Sequence, residues 1–183
     1  MTQIFNFLLT PEQKRVIDLI IVCTDLEPDD IFALLLLAIA LNRCAEKKIP
    51  ILFCVGEGDW DKTAMMANMA NMLNLECTIV QSNHSNKTYP SGMIKAFETE
   101  KKGKQEIVAS QDVVSVVEKF LKNFSHPFLL VIKPFASDLL KVDSQLLSKC
   151  VAAFYGSFNF AETQKIAPEV DLASWINNSF QRV

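Results

Sequence analysis

The segment from Val16 to Leu41 reads VIDLIIVCTDLEPDDIFALLLLAIAL, and it decides how the rest of the chain folds. Its first part, Val16–Thr24, is rich in β-branched residues and is interrupted only by Asp18. Such a run is typical of a strand that is covered on both faces. The part Ile31–Leu41 is apolar throughout, but its 11 residues are too few to cross a bilayer, which takes about 20. The segment therefore predicts a buried strand followed by a buried helix from Asp29 to Lys48.

The same alternation of short apolar runs and helical spacing continues along the chain. Further strands are predicted at 51–55, 76–81, 128–132 and 151–155. Further helices are predicted at 62–73, 111–123 and 137–149. Strands that alternate with helices in this way predict an α/β fold with a mostly parallel central sheet flanked by helices. No linker, repeat or low-complexity tract interrupts residues 1–183, so we expect a single domain.

The composition excludes several classes of protein. With 183 residues, half of them hydrophobic, the chain can bury a sizeable core. The 18 basic and 21 acidic side chains give a net charge of −3, without the cationic excess that nucleic acids and anionic membranes attract. We therefore expect no nucleic-acid partner and no membrane span. The mean hydropathy of +0.19 is high, which favours either elements that are buried on two faces or a surface covered by a protein partner or by a second copy of the chain.

The cysteines and the N-terminus bear on the compartment. The five cysteines are an odd number, and no two of them form a C-x-x-C pair. This pattern predicts reduced thiols in a reducing intracellular compartment. Residues Met1–Thr10 lack the basic region and the cleavage site of a secretory signal. We expect a cytoplasmic protein, or one of an organellar matrix if a transit peptide has been removed.

Acidic residues gather where the first strand gives way to the long helix. Asp25, Glu27, Asp29 and Asp30 lie within six residues. Open parallel sheets bind ligands at the carboxyl ends of their strands, and clustered carboxylate oxygens suit hard cations such as Ca²⁺ and Mg²⁺. A structural interpretation stays open, in which Asp29 and Asp30 only stabilise the helix N-terminus through its dipole.

The stretch IIVCTDLEPDDIFAL at 20–34 resembles the opening motif of the nucleoside hydrolases. That family begins with a strand, then D-T-D-x-G-x-D-D, then a helix rich in Ala and Leu. Four shorter segments, each similar to a segment of the family, follow in the family's order at 53–59, 131–137, 153–158 and 168–171. The resemblance covers nearly all of this chain and implies a nucleoside-hydrolase-like fold that lacks the family's C-terminal third.

The resemblance implies a role for each matching position. Asp25 and Asp30 would ligate Ca²⁺ together with the backbone carbonyl of Ala136, and Asp25 would also be the catalytic base that deprotonates the metal-bound water. Ribose hydroxyls would be bound by Asp29, Asp59, Glu169 and Asp171. The implied reaction is hydrolysis of an N-ribosidic bond in a nucleoside or a ribose-like small molecule, and carboxylates with a metal-activated water suit its oxocarbenium-like transition state.

The chain also departs from the family at positions that bear on activity. Cys23 replaces the first Asp of the motif, and Glu27 replaces a Gly. Asp59 and Asp171 stand where the family has Asn. The family's last third supplies a His-Asp pair that protonates the leaving base and adds a metal ligand, and no His of this chain lies in a matching context.

Three functions follow from these observations. We expect a non-catalytic relative, a pseudoenzyme that serves as a structural or interaction subunit of a larger assembly, with Ca²⁺ either retained or lost. The alternative is an active Ca²⁺-dependent ribonucleoside hydrolase whose site is completed by a partner. A phosphotransferase or phosphatase that uses Asp25 is a third interpretation, but the chain lacks the Gly and Thr expected after such a nucleophile and a suitable downstream Lys.

Overall fold

The structure is a computed structural model and describes residues 11–26, 28–44, 48–55, 60–81, 106–108, 112–131 and 141–155. The strands in these ranges are β1 Leu19–Thr24, β2 Ile51–Val55, β3 Cys77–Gln81, β4 Glu106–Val108, β5 Pro127–Val131 and β6 Ala152–Tyr155. The helices are α1 Pro11–Val16, α2 Pro28–Cys44, α3 Trp60–Met72, α4 Val113–Asn123 and α5 Ser144–Leu147.

The strands form one sheet in the order β4-β3-β2-β1-β5-β6. Every neighbouring pair is parallel. The chain starts in the middle of the sheet at β1, proceeds outward through β2, β3 and β4, and then returns to the other side of β1 for β5 and β6. The predicted α/β architecture with a parallel central sheet is therefore confirmed, and the direction of winding reverses between β1 and β5.

Both faces of the sheet are covered, which explains the uninterrupted apolar sequence of β1. Ile20 and Val22 pack in one hydrophobic cluster with residues of α2 and α3. Leu19 and Ile21 point to the opposite face and pack in a second cluster with residues of α4 and α5. Because successive side chains of a strand point to opposite faces, a strand between two helical layers must be apolar at every position.

Helix α2 carries apolar side chains on its outer face as well as on its inner face. Leu34 and Ala38 are buried against the sheet. Phe32 is 64% exposed and Ile39 is 38% exposed. Among the described residues, no helix combines the length and the apolar character that a membrane crossing requires.

Asp18, the one polar residue in the first apolar run, has a structural role at the amino end of the sheet. Its carboxylate accepts hydrogen bonds from the backbone N–H groups of Ser125 and His126, each at 2.9 Å. Its own backbone N–H donates to the carbonyl of His126 at 3.2 Å. These contacts hold the start of β5 beside the start of β1, so the residue that interrupts the apolar run stabilises the pairing of the two strands.

The differences from the predicted elements have local causes. Val16 lies in α1 rather than in the first strand, which begins at Leu19. The helix predicted at 137–149 is wrong for the described residues 141–143, because the Asp143 side chain caps the helix by accepting from the Gln145 N–H at 2.8 Å. Helix α5 therefore has only four residues. Strand β4 was not predicted, since three residues are too few to show a periodic pattern.

The buried cysteines lead to a first prediction. Burial raises the pKa of the Cys77 and Cys150 thiols to about 12, so about one thiol in ten thousand is ionised at pH 8. We expect alkylation of these two residues in native protein, followed by peptide mass spectrometry, to be far slower than in urea. Unfolded thiols ionise near pH 8.5, so the unfolded state binds fewer protons and stability falls from about pH 9 to 12. Fast labelling without denaturant would contradict this burial.

Candidate functional site

The candidate site lies at the carboxyl end of β1, in the middle of the sheet between β2 and β5. The strand order reverses between β1 and β5, and open α/β sheets bind their ligands in the crevice outside the strand ends at such a reversal. The residues that follow β1 are Asp25 and Leu26, and α2 begins at Pro28. The acidic segment singled out from the sequence therefore lies at the favoured position of this fold.

A hydrogen-bond network joins the end of β1 to the first turn of α2. The Thr24 hydroxyl donates to Asp30 Oδ2 at 2.7 Å. The Asp25 backbone N–H donates to the same oxygen at 3.0 Å. The Thr24 hydroxyl also accepts from the Leu26 N–H at 3.0 Å. All four residues are buried, so water does not compete for these hydrogen bonds. The bonds therefore fix the path of the chain into α2.

Leu26 has a backbone conformation that is unusual for its residue type. Its φ of 57° lies in the left-handed region, which costs a bulky residue about 1–2 kcal/mol. The side chain is fully buried in the cluster beneath α2, and the amide is held by Thr24. These interactions offset the strain, and strained residues of this kind cluster at binding and catalytic sites.

The structure brings together two of the predicted site residues. Asp25 is fully buried at the end of β1, and Asp30 is buried in the first turn of α2. Burial of a carboxylate is costly without compensating charge or hydrogen bonds. The N-terminus of α2 supplies part of that compensation through its dipole. One carboxylate oxygen of Asp30, which was predicted as a metal ligand, accepts two hydrogen bonds from the chain itself.

The remaining predicted positions stay predictions. Asp29 lies in the first turn of α2, but its side chain is outside the described part of the structure. Four positions lie wholly outside the described residues: Asp59, Ala136, Glu169 and Asp171.

Sequence reasoning missed two buried polar residues at the same edge. Lys62 is 1% exposed and Thr63 is fully buried, both in the first turn of α3. The strand before α3 is β2, the direct neighbour of β1. A signal for Lys62 was present, because it shares a helical face with Met65, Met66 and Met69, which are all buried.

The described residues do not by themselves make a calcium site. Carboxylate oxygens are the right donors for Ca²⁺, but the ion takes six to eight oxygens. Within the described ranges, no group of three or more His, Cys, Asp or Glu residues lies close enough to hold a metal ion. Asp25 and Asp30 supply two carboxylates, and one oxygen of Asp30 already serves the backbone and Thr24. The described carboxylate oxygens are therefore suitable ligands for Ca²⁺, but there are too few of them to hold the ion.

Comparisons with protein-family models, with curated proteins and with solved structures gave no match to this chain. The resemblance to nucleoside hydrolases therefore rests on the sequence alone, on the motif at 20–34 and on the order of the later segments.

Proposed function

We propose that this chain is a nucleoside-hydrolase-like protein that binds the ribose of a nucleoside at the carboxyl end of β1 without cleaving it. In this proposal the chain is a structural or interaction subunit of a larger assembly. The observation that carries the proposal is the fully buried Asp25 at the end of the central strand, beside the reversal of strand order where such folds bind ligands.

Ribose is the ligand that the resemblance implies, and the local geometry suits a ligand that carries hydroxyl groups. A carboxylate accepts hydrogen bonds from two neighbouring hydroxyls at once, and charge-assisted bonds of this kind are roughly twice as strong as neutral ones. The backbone on both sides of Asp25 is fixed, because its own N–H is bound to Asp30 and the Leu26 N–H is bound to Thr24. A carboxylate on such a rigid support loses little freedom when it binds a ligand.

The same residues give little support for catalysis. Cleavage of an N-ribosidic bond needs an acid that protonates the leaving base, and loss of a general acid typically lowers the rate by about 10²–10⁴-fold. His126, the histidine within the described ranges, lies at the opposite, amino end of the sheet, where its N–H is bound to Asp18. The described donors also fall short of the number that a calcium ion needs.

The outer face of α2 supports the role of an interaction subunit. Phe32 and Ile39 are seven residues apart on α2 and therefore lie on the same side of the helix, where both are exposed. A helix that is apolar all round is typically buried on all sides. A protein partner or a second copy that covers this face would remove both side chains from water.

Calorimetric titration with inosine and uridine, paired with a chromatographic assay for the free base in excess Ca²⁺, tests the proposal. We expect binding without release of base above the buffer rate. Asp25→Asn should weaken binding by about 10- to 100-fold, because it removes a charged acceptor. Glu76→Gln, which removes an exposed carboxylate before β3, should leave binding unchanged.

Two results of these experiments would contradict the proposal. Robust release of base that disappears in Asp25→Ala would favour the active hydrolase instead. If circular dichroism shows that the protein is folded and neither nucleoside binds, the result would contradict the proposed ribose site.

A further inference from the structure

The buried lysine at the start of α3 lies where a cation is unfavourable without nearby negative charge. Lys62 is one of the largest fully buried side chains of the described part. It is the third residue of a 13-residue helix, whose N-terminus carries positive dipole charge and repels a cation. Transfer of an ammonium group out of water carries a further penalty. A lysine in this place therefore points to negative charge at the same edge of the sheet.

The fold places such charge at the same edge of the sheet as Lys62. Strands β1 and β2 are parallel neighbours, with Thr24 opposite Val55 at their carboxyl ends. Helices α2 and α3 both begin beyond these ends, and Asp30 and Lys62 are each the third residue of their helix. The residues that follow them in the helices, Ile31 of α2 and Met65 and Met66 of α3, belong to one hydrophobic cluster.

The charges at this edge can balance without a metal ion. The described buried groups at this edge are two carboxylates, of Asp25 and Asp30, and one ammonium group, of Lys62. The N-termini of α2 and α3 each contribute the equivalent of about half a positive charge. Over these described groups the sum is close to zero, which is the condition under which buried charged groups are tolerated.

We infer that Lys62 is a fixed internal cation at this edge. Its ammonium group supplies the positive charge that a bound calcium ion would otherwise supply to the buried carboxylates. The inference rests on the proposed function, because it concerns the same site and states that ribose binding there does not depend on metal. It also explains how a site with two buried carboxylates remains folded when the described donors are too few for Ca²⁺.

Thermal unfolding of variants tests the electrostatic part of the inference. Lys62→Met should lower Tm by about 6–20 °C, the effect of breaking a buried charge pair in a chain of this size. Lys48→Met is the matched control, because this lysine side chain is 85% exposed, and its Tm should stay within about 2 °C of the wild type. Excess Ca²⁺ should leave the Tm of the wild type unchanged.

The direction in which a second variant changes Tm tests the inference even if Lys62→Met fails to fold. If Lys62 balances Asp25, then Asp25→Asn lowers Tm, because it leaves excess positive charge. If repulsion between carboxylates dominates instead, Asp25→Asn raises Tm, and the inference is wrong. In a double-mutant cycle, Asp25→Asn with Lys62→Met should lose less stability than the two single losses added together.

Titration of the wild type with inosine, in excess EDTA and again in excess Ca²⁺, separates this inference from the proposed function. We expect equal affinity in the two conditions. Binding that requires Ca²⁺ would overturn the role of Lys62 and leave the ribose site standing. Absence of binding in both would overturn the ribose site, whereas the variant series would still decide whether Lys62 balances the carboxylates.

Discussion

Asp30→Ala is expected to lower the free energy of unfolding by about 2–6 kcal/mol, measured by urea denaturation. One carboxylate oxygen of Asp30 accepts from both the Thr24 hydroxyl and the Asp25 N–H. Both donors are buried, and each buried donor left without an acceptor costs about 1–3 kcal/mol. The variant also removes the contact that holds the first turn of α2 against the end of β1.

Asp30→Asn provides the comparison that isolates the hydrogen bonds. The amide oxygen of Asn can accept from the same two donors, so we expect a clearly smaller loss than for Asp30→Ala. A loss below about 1 kcal/mol for the alanine variant would fall short of a single unsatisfied buried donor. Such a result would show that this network does not fix α2 to β1.

Phe53→Ala is expected to lower the free energy of unfolding by about 3–5 kcal/mol. Phe53 lies in the middle of β2 and is fully buried in the cluster that joins the sheet to α2 and α3. Its removal deletes a large apolar contact and leaves a cavity that the surrounding helices fill only in part. Urea denaturation with a fixed m value would measure this loss.

Phe32→Ala is the matched control, since it makes the same substitution at a site on α2 that is 64% exposed. We expect this variant to change stability by less than about 0.5 kcal/mol in the isolated chain. A loss as large as that of Phe53→Ala would contradict the exposure of the outer face of α2. It would show that the face is already packed in the folded protein under the conditions of the measurement.

The strands that the sequence predicts most clearly are those that helices cover on both faces of the sheet. The run that contains Ile20 and Val22 could be predicted because a strand between two helical layers must be apolar at every position. Strand β4 could not be predicted, since its three residues carry no measurable period. Helix α5 begins late because of a side-chain cap at Asp143, which the apolar pattern of the segment does not reveal.

The candidate site was predictable in its location and less so in its chemistry. The rule for strand ends placed Asp25 and Asp30 at the carboxyl edge. The double acceptor role of Asp30 depends on the orientation of the Thr24 hydroxyl and on that of the Asp25 backbone N–H. Neither follows from residue type. The burial of Lys62 was missed despite its spacing from the three buried methionines of α3, because a lysine side chain usually keeps its charged end in water even beside an apolar helix face.

Two-dimensional ¹H–¹⁵N NMR of the labelled protein with inosine tests the central claim most directly. The account predicts that the largest changes in amide shift fall on Thr24, Asp25 and Leu26, at the carboxyl end of β1. The amides of Ser125 and His126, bound to Asp18 at the opposite end of the sheet, should stay in place. Shifts confined to the amino end, or no shifts at saturating inosine, would contradict a ribose site at the carboxyl end of β1.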